Sequence, residues 1–151
     1  MIAVGNRCSL PVAVTAKIAN ERFTVIVDTG DGNSYGKSGN HFIHNIRRNV
    51  NIMHFVNDNQ IYGLIKGQAS PTFMMGLKTG VQTDRNFNEP FNPVLLAIGC
   101  GAGFVVHAFI GHKEHLISLV KQAIEYKGYV LVDVLQLCIS FNKTGTFIWY
   151  N

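Results

Sequence analysis

The chain has few cysteines and scatters those it has: Cys8, Cys100 and Cys138 form no close pair and no Cys-x-x-Cys. That excludes a disulfide framework and a self-contained zinc site, and it makes a reducing cytoplasm the expected compartment. Charge is also sparse. It makes up 15% of 151 residues, with 13 lysines and arginines against 9 acids for a formal charge of +4. The basic residues are dispersed, and Arg47-Arg48 is their densest point, so no nucleic-acid partner is expected. Low-complexity tracts, internal repeats and linkers are absent, and at 47% hydrophobic residues the composition excludes disorder and leaves one domain over residues 1–151.

Apolar runs fit for a membrane are missing as well. Arg7, Lys17 and Arg22 interrupt the N-terminal stretches, unlike a signal peptide. Residues 94–111 carry no charge except on His107 when protonated, but Gly99, Gly101, Gly103 and Gly111 break them. A buried helix, a glycine break and a buried strand are expected there instead of a span, and no membrane partner.

What the chain does have is two acid–amide clusters, Gly30-Asp31-Gly32-Asn33 and Asp58-Asn59-Gln60. Each directly follows an apolar, β-branched run, residues 23–27 and 52–56, and a helix-like segment over 40–48 lies between them. Strand, loop, helix, strand, loop is a βαβ unit, which places both loops at one carboxyl edge of a parallel sheet. Elsewhere the pattern predicts a helix over 11–20, strands over 23–28, 104–109 and 129–135, and a helix over 112–127 closed by Gly128. Asn92-Pro93 predicts a further capped helix start, with a loop over 58–72 and an irregular excursion over 73–92. Strands alternating with helices predict an α/β fold, a doubly wound, mainly parallel sheet.

Convergent loops of this kind suit a hard cation that carries an anionic ligand. Magnesium takes oxygen donors in octahedral geometry and keeps substrate phosphates in its shell. The Asp31 carboxylate, the Asn59 side-chain oxygen and one main-chain carbonyl would supply the protein's share. Gly30 and Gly32 let the backbone approach phosphates, and a helix N-terminus near Gly39-Asn40 offers amide donors. Two ordinary βα turns also favour Gly, Asp and Asn, and the loops by themselves leave that reading open.

A competing phosphate motif is Gly36-Lys37-Ser38, which resembles the end of a P-loop. A P-loop needs a glycine where this chain has Asp31, whose carboxylate would repel a triphosphate, so a P-loop-like nucleotide binder is only a minor alternative. Gly99-Cys100-Gly101-Ala102-Gly103 precedes a strand and reads as a chain reversal. His41/His44 and His112/His115 lack a third ligand and read as solvated or capping residues.

These residues together resemble the β subunit of 2-oxoacid:ferredoxin oxidoreductases. The likeness runs through Asp28-Thr29-Gly30-Asp31-Gly32-Asn33, Gly39-Asn40-His41-Phe42-Ile43-His44 and Asp58-Asn59-Gln60-Ile61-Tyr62-Gly63-Leu64. It continues in Gly67-Gln68-Ala69-Ser70-Pro71-Thr72, Val132-Asp133-Val134-Leu135-Gln136, Cys138, Phe141-Asn142-Lys143 and Trp149-Tyr150. The resemblance implies a thiamine-diphosphate-binding fold. It implies that Asp31, Asn59 and the main-chain carbonyl of Ile61 bind Mg²⁺, and that Gly30, Gly32, Asn33, Tyr62, Gly63 and Leu64 line the diphosphate cradle. The implied reaction is oxidative decarboxylation of a 2-oxoacid of pyruvate or 2-oxoglutarate type, begun by attack of the thiazolium carbanion on its ketone. Electrons then pass through an iron–sulfur cluster to ferredoxin and the acyl group goes to coenzyme A. Implied partners are an α subunit, which supplies the activating glutamate, and further subunits.

Departures from the family pattern bear on each part. The family's N-terminal cluster cysteines have no counterpart here, so the chain is expected to be truncated at that end. Cys138 matches the fourth ligand of a 4Fe–4S set that needs four thiolates. Gly5-Asn6-Arg7 stands for the family's His-Gly-Arg, Asn33 for an Asp and Ser38 for a Gly. Ile65 stands for a Thr whose loss is expected to weaken phosphate binding by about 1–2 kcal/mol. The alternatives to an oxidoreductase subunit are a truncated, non-catalytic remnant and a non-redox thiamine-diphosphate protein.

Overall fold

The structure, a computed structural model, describes residues 2–4 and 9–142. Cys8, the Gly5-Asn6-Arg7 segment, Lys143 and Trp149-Tyr150 lie outside the described residues. In chain order the elements are β1 (Ile2–Val4), α1 (Ser9–Ala19), β2 (Val25–Gly30), a short π-helix (Gly32–Lys37), α2 (Gly39–Arg48) and β3 (Met53–Asp58). They are followed by β4 (Ile61–Tyr62), β5 (Gln68–Ala69), α3 (Pro93–Gly99), β6 (Phe104–Phe109), α4 (Lys113–Glu125) and β7 (Val130–Leu135).

Five strands form one parallel sheet in the order β1-β2-β3-β7-β6. The chain leaves β3, skips a place to build β6, and returns through α4 to lay β7 into the gap. β7 therefore hydrogen-bonds on both sides, Val130 pairing with both Met53 and Phe104.

Both faces are covered, which explains why the strands read as near-continuous β-branched runs. On one face Leu10 and Ala13 of α1, Phe42 and Ile46 of α2 and Ala97 of α3 pack on Val25, Val27, Val56 and Leu131. On the other, Leu116 and Ala123 of α4 pack on Met53, Val106, Ala108, Val130, Val132 and Val134.

Local chemistry sets the helix ends. Asn92 accepts a hydrogen bond from the Leu95 amide at 3.0 Å, and Pro93 occupies the first helical position. Asn49 ends α2 in the left-handed region at φ 47°, and its side chain accepts from the Tyr129 amide at 2.9 Å. Gly101, at φ 86°, makes the reversal expected between α3 and β6.

Boundaries differ from expectation where long-range pairing decides them. β2 and β3 run two residues beyond the predicted 28 and 56, so Gly30 and Asp58 end strands instead of lying in loops. α1 begins two residues early, at Ser9, because Ser9 and Leu10 are both buried. The predicted loop over 58–72 contains a small antiparallel ribbon, β4 paired with β5. The fifth parallel strand, β1, has only three residues, too short for a periodic signal. Among the described residues no helix is long and apolar enough to cross a membrane, and residues 94–111 form α3, the reversal and β6.

Candidate functional site: a cleft at the carboxyl edge of the sheet

The ends of β2 and β3 converge as the βαβ reading required. A cleft of about 290 Å³ is lined by Gly30, Asp31, Gly32, Asn33 and Lys37 from the first loop, and by Asn59, Ile61, Tyr62, Gly63, Leu64 and Ile65 from the second. The nine residues expected to hold thiamine diphosphate and Mg²⁺ all line this one cleft; Cys138, expected as a cluster ligand, does not. Gly39-Asn40, expected to offer helix amides to it, does not: the π-helix comes first, and the Ser38 amide bonds to the Asn33 carbonyl at 2.9 Å.

The π-helix is held to the sheet by its own side chains. The Ser34 hydroxyl lies 3.0 Å from His54 Nε2 and hydrogen-bonds Thr29. The other ring nitrogen of His54 lies 2.7 Å from the Tyr129 hydroxyl. His54 is fully buried, and burial lowers its pKa to about 3, so it is a neutral joint between strands and loop. One residue on, the Tyr35 hydroxyl donates to Asp133 Oδ1 on β7. These two anchors set where Asp31 and Gly32 stand.

The second loop turns by a left-handed Gln60, at φ 65°. This conformation costs a non-glycine residue roughly 1–2 kcal/mol, and three bonds support it. The Gln60 amide donates to Asp58 Oδ1 at 3.2 Å, its carbonyl accepts from Ser70 at 3.2 Å, and the Ile61 amide donates to Asn59 Oδ1 at 3.2 Å. Tyr62 then lays its ring against the first loop so closely that a Cβ on Gly32 or Gly36 would overlap it. A side chain at either position would have to displace the Tyr62 ring.

The electrostatics centre on three buried acids, Asp31, Asp58 and Asp133. Asp31 is wholly buried; its Oδ2 accepts from the Thr72 hydroxyl at 2.9 Å, and among the described residues its Oδ1 has no hydrogen-bond partner. The same Thr72 oxygen lies 2.7 Å from Asp58 Oδ1. Burial raises the pKa of Asp31, against the lowering effect of hydrogen bonds from Ser70 and Thr72. Burial, then repulsion from Asp31 and Asp133, holds Asp58 well above the ordinary carboxylate range. Burial lifts Asp133 to about 7. His107 Nε2, 3.9 Å from Asp133 Oδ2, is not its ion-pair partner at neutral pH, since the distance is too long for a hydrogen bond and burial lowers the His107 pKa. A buried carboxylate in a cleft also lined by an amide side chain, Asn59, and by Ile61 is a donor set suited to a hard divalent cation, whose charge would reverse the penalty on Asp31.

Other expected residues lie elsewhere. Cys138 is buried against Ile61 and Phe73, with the Phe141 amide 3.3 Å from its sulfur. Among the described residues no three His, Cys, Asp or Glu side chains are grouped to hold a metal, and His41, His44, His112 and His115 are exposed. Sequence reasoning assigned no role to Thr72, Asp58, His54 or Tyr35. The placing of Ser70-Pro71-Thr72 after the second loop was the available signal for Thr72.

Comparison with known proteins adds to the geometry. Residues 6–134 match the family model described as thiamine pyrophosphate enzyme, C-terminal TPP binding domain. The β subunit of 2-oxoacid:ferredoxin oxidoreductase 2 from Aeropyrum pernix is 42% identical over 142 residues, covering 94% of this chain and 46% of that protein. The 2-oxoglutarate oxidoreductase subunit KorB of Mycobacterium tuberculosis is 40% identical over 136 residues, covering 90% of this chain and 36% of that protein. Among solved structures, 2-oxoglutarate:ferredoxin oxidoreductase from Magnetococcus marinus, with 2-oxoglutarate, coenzyme A and succinyl-CoA bound, superposes with a TM-score of 0.92 at 30% identity. The match covers 98% of this chain and 57% of that one. The chain spans about half the length of the curated relatives it matches, 46% and 47% of the first two.

Proposed function

This chain belongs to the thiamine pyrophosphate enzymes, by their C-terminal TPP binding domain, and from that premise we propose that it is the cofactor-holding part of a 2-oxoacid:ferredoxin oxidoreductase β subunit. The single observation that carries the site is the buried Asp31 Oδ1, without a hydrogen-bond partner among the described residues, in a cleft whose second loop brings Asn59 and Ile61. Those three supply oxygens to Mg²⁺: a carboxylate, a side-chain amide and a main-chain carbonyl. Gly30, Gly32, Asn33, Tyr62, Gly63 and Leu64 take the diphosphate, with the two glycines giving backbone access and Tyr62 closing over the loop.

When bound, thiamine diphosphate supplies the electron sink for decarboxylation of a 2-oxoacid of pyruvate or 2-oxoglutarate type. The chain's own work is binding and orientation. Thr72 holds Oδ2 of Asp31 and leaves Oδ1 to the metal; Ser34, Tyr35 and His54 keep the first loop rigid and dry. An α subunit completes the site, coenzyme A and ferredoxin take the products, and the complex works in the cytoplasm. Of the family's four-thiolate 4Fe–4S set the described residues match only Cys138, and one thiolate does not hold such a cluster.

Calorimetry on the purified chain tests the site. Thiamine diphosphate is expected to bind with Mg²⁺ and not with EDTA, and Asp31→Ala to weaken binding by more than about 100-fold, the cost of removing a charged metal ligand. Equal binding by the variant would overturn the assignment. A second reading, a cofactor-binding chain without turnover, is favoured by Ile65, a hydrocarbon side chain on the cleft wall. Co-purification with a larger partner chain and a 2-oxoacid-dependent dye-reduction assay separate the two.

A further inference from the structure

The spacing of Gly36-Lys37-Ser38 fails as a P-loop, and the Lys37 side chain has been given no chemical role in the site described so far. The fold nevertheless carries Lys37 to the cleft. Among the residues lining it, Lys37 is the only lysine, arginine or histidine. We propose that the Lys37 ammonium is a ligand-binding group of this cleft, pairing with the diphosphate of the cofactor; this rests on the reading of the cleft as a thiamine-diphosphate site.

Charge balance motivates it. A diphosphate ester carries about three negative charges near neutral pH, and a divalent cation offsets two of them while Asp31 adds one back. The remaining excess is negative, and Lys37 is the one cationic side chain placed to meet it. Its backbone is fixed, because it ends the π-helix that Ser34 and Tyr35 fasten to the sheet. Its head is placed too, with Nζ 5.5 Å from the Tyr62 ring centroid, within cation–π range. Among the described residues no carboxylate lies within ion-pair distance of it, the one such contact there being His107 with Asp133. A lysine serves here as a point charge, without the P-loop backbone that the sequence motif requires.

Lys37 is exposed, so its variants keep the core intact. The test is calorimetric titration of the full chain with thiamine diphosphate and Mg²⁺, at low and at moderate salt, for wild type, Lys37→Gln and Lys37→Arg. Lys37→Gln is expected to lower affinity by about tenfold, in line with one charge-assisted contact, and to flatten its salt dependence. Lys37→Arg should stay within about threefold of wild type. Equal affinity and equal salt dependence in Lys37→Gln would overturn the inference while leaving the cleft's reading intact. Absence of Mg²⁺-dependent binding by wild type would sink that reading and the inference with it.

Discussion

The two faces of the parallel sheet are both covered by helices, but they are built from different material. Under α4 the strands present Met53, Val106, Ala108, Val130, Val132 and Val134, and the polar pair on that face, Asn57 donating to Asp28, sits only at the carboxyl ends of β3 and β2. The opposite face begins the same way with Val25, Val27, Val56 and Leu131. Two residues further along the same strands, alternation puts Thr29, Asp58 and Asp133 on it, and His54 sits there as well. Those polar groups are not met by α1, α2 or α3. They are met by Ser34 and Tyr35 of the π-helix and by Thr72 of the later loop. One face secures the fold; the carboxyl end of the other carries a hydrogen-bonded column that fixes the cleft. A sheet can divide labour this way because its two faces alternate residue by residue.

The sharpest way to break that comparison is to put a carboxylate on the apolar face. Val132→Asp is expected to destabilise the chain by more than about 4 kcal/mol, enough to prevent folding, because a buried charge there finds no donor. Circular dichroism and urea unfolding check it, and a near-native midpoint would show that the face under α4 tolerates what the other face uses. On the polar face, Thr72→Val removes the hydroxyl shared by Asp31 and Asp58. Its expected effect is about 1–3 kcal/mol, read as roughly tenfold weaker Mg²⁺-dependent cofactor binding, and Thr72→Ser should restore it.

The smallest effect is a pH slope. Asp133 has a folded pKa raised to about 7 from an ordinary carboxylate value. The native state therefore holds a proton that the unfolded chain has released, and its contribution to stability is full below about pH 4 and lost as pH rises through about 7. His54, lowered to about 3, acts in the opposite sense, and its contribution is lost as pH falls below about 6.5. The difference in unfolding free energy between wild type and Asp133→Asn cancels the His54 part. It should decline from pH 4 to 7, and a flat difference would show that Asp133 titrates normally.

Much of this was legible in the sequence. The Asn92 cap, the start of α3 and the span of α4 rest on side-chain and backbone chemistry within a few residues, which a sequence displays directly. The convergence of Asp31 and Asn59 on one cleft follows from the parallel strands of a βαβ unit, and the family resemblance and the α/β fold both hold. The supporting residues were hidden because their partners are distant in the chain. Thr72 meets Asp31 across 41 positions and Tyr35 meets Asp133 across 98. His54 sat inside a β-branched run and gave no sign of its neutral, doubly bonded state. Lys37 was set aside with a motif whose spacing failed, although its position beside the cleft depends only on the π-helix.

The place of β7 has a consequence for biosynthesis. Among the described residues it is the last strand of the sheet in chain order, yet it lies between β3 and β6. A nascent chain that stops before Val130 has two strands with facing, unsatisfied edges, and such edges recruit other chains. Its Tyr35 hydroxyl likewise has no Asp133 to accept its proton. The six residues Val130–Leu135 close the sheet and complete the polar column together, so a translational pause just upstream of them would be the moment of greatest need for a chaperone.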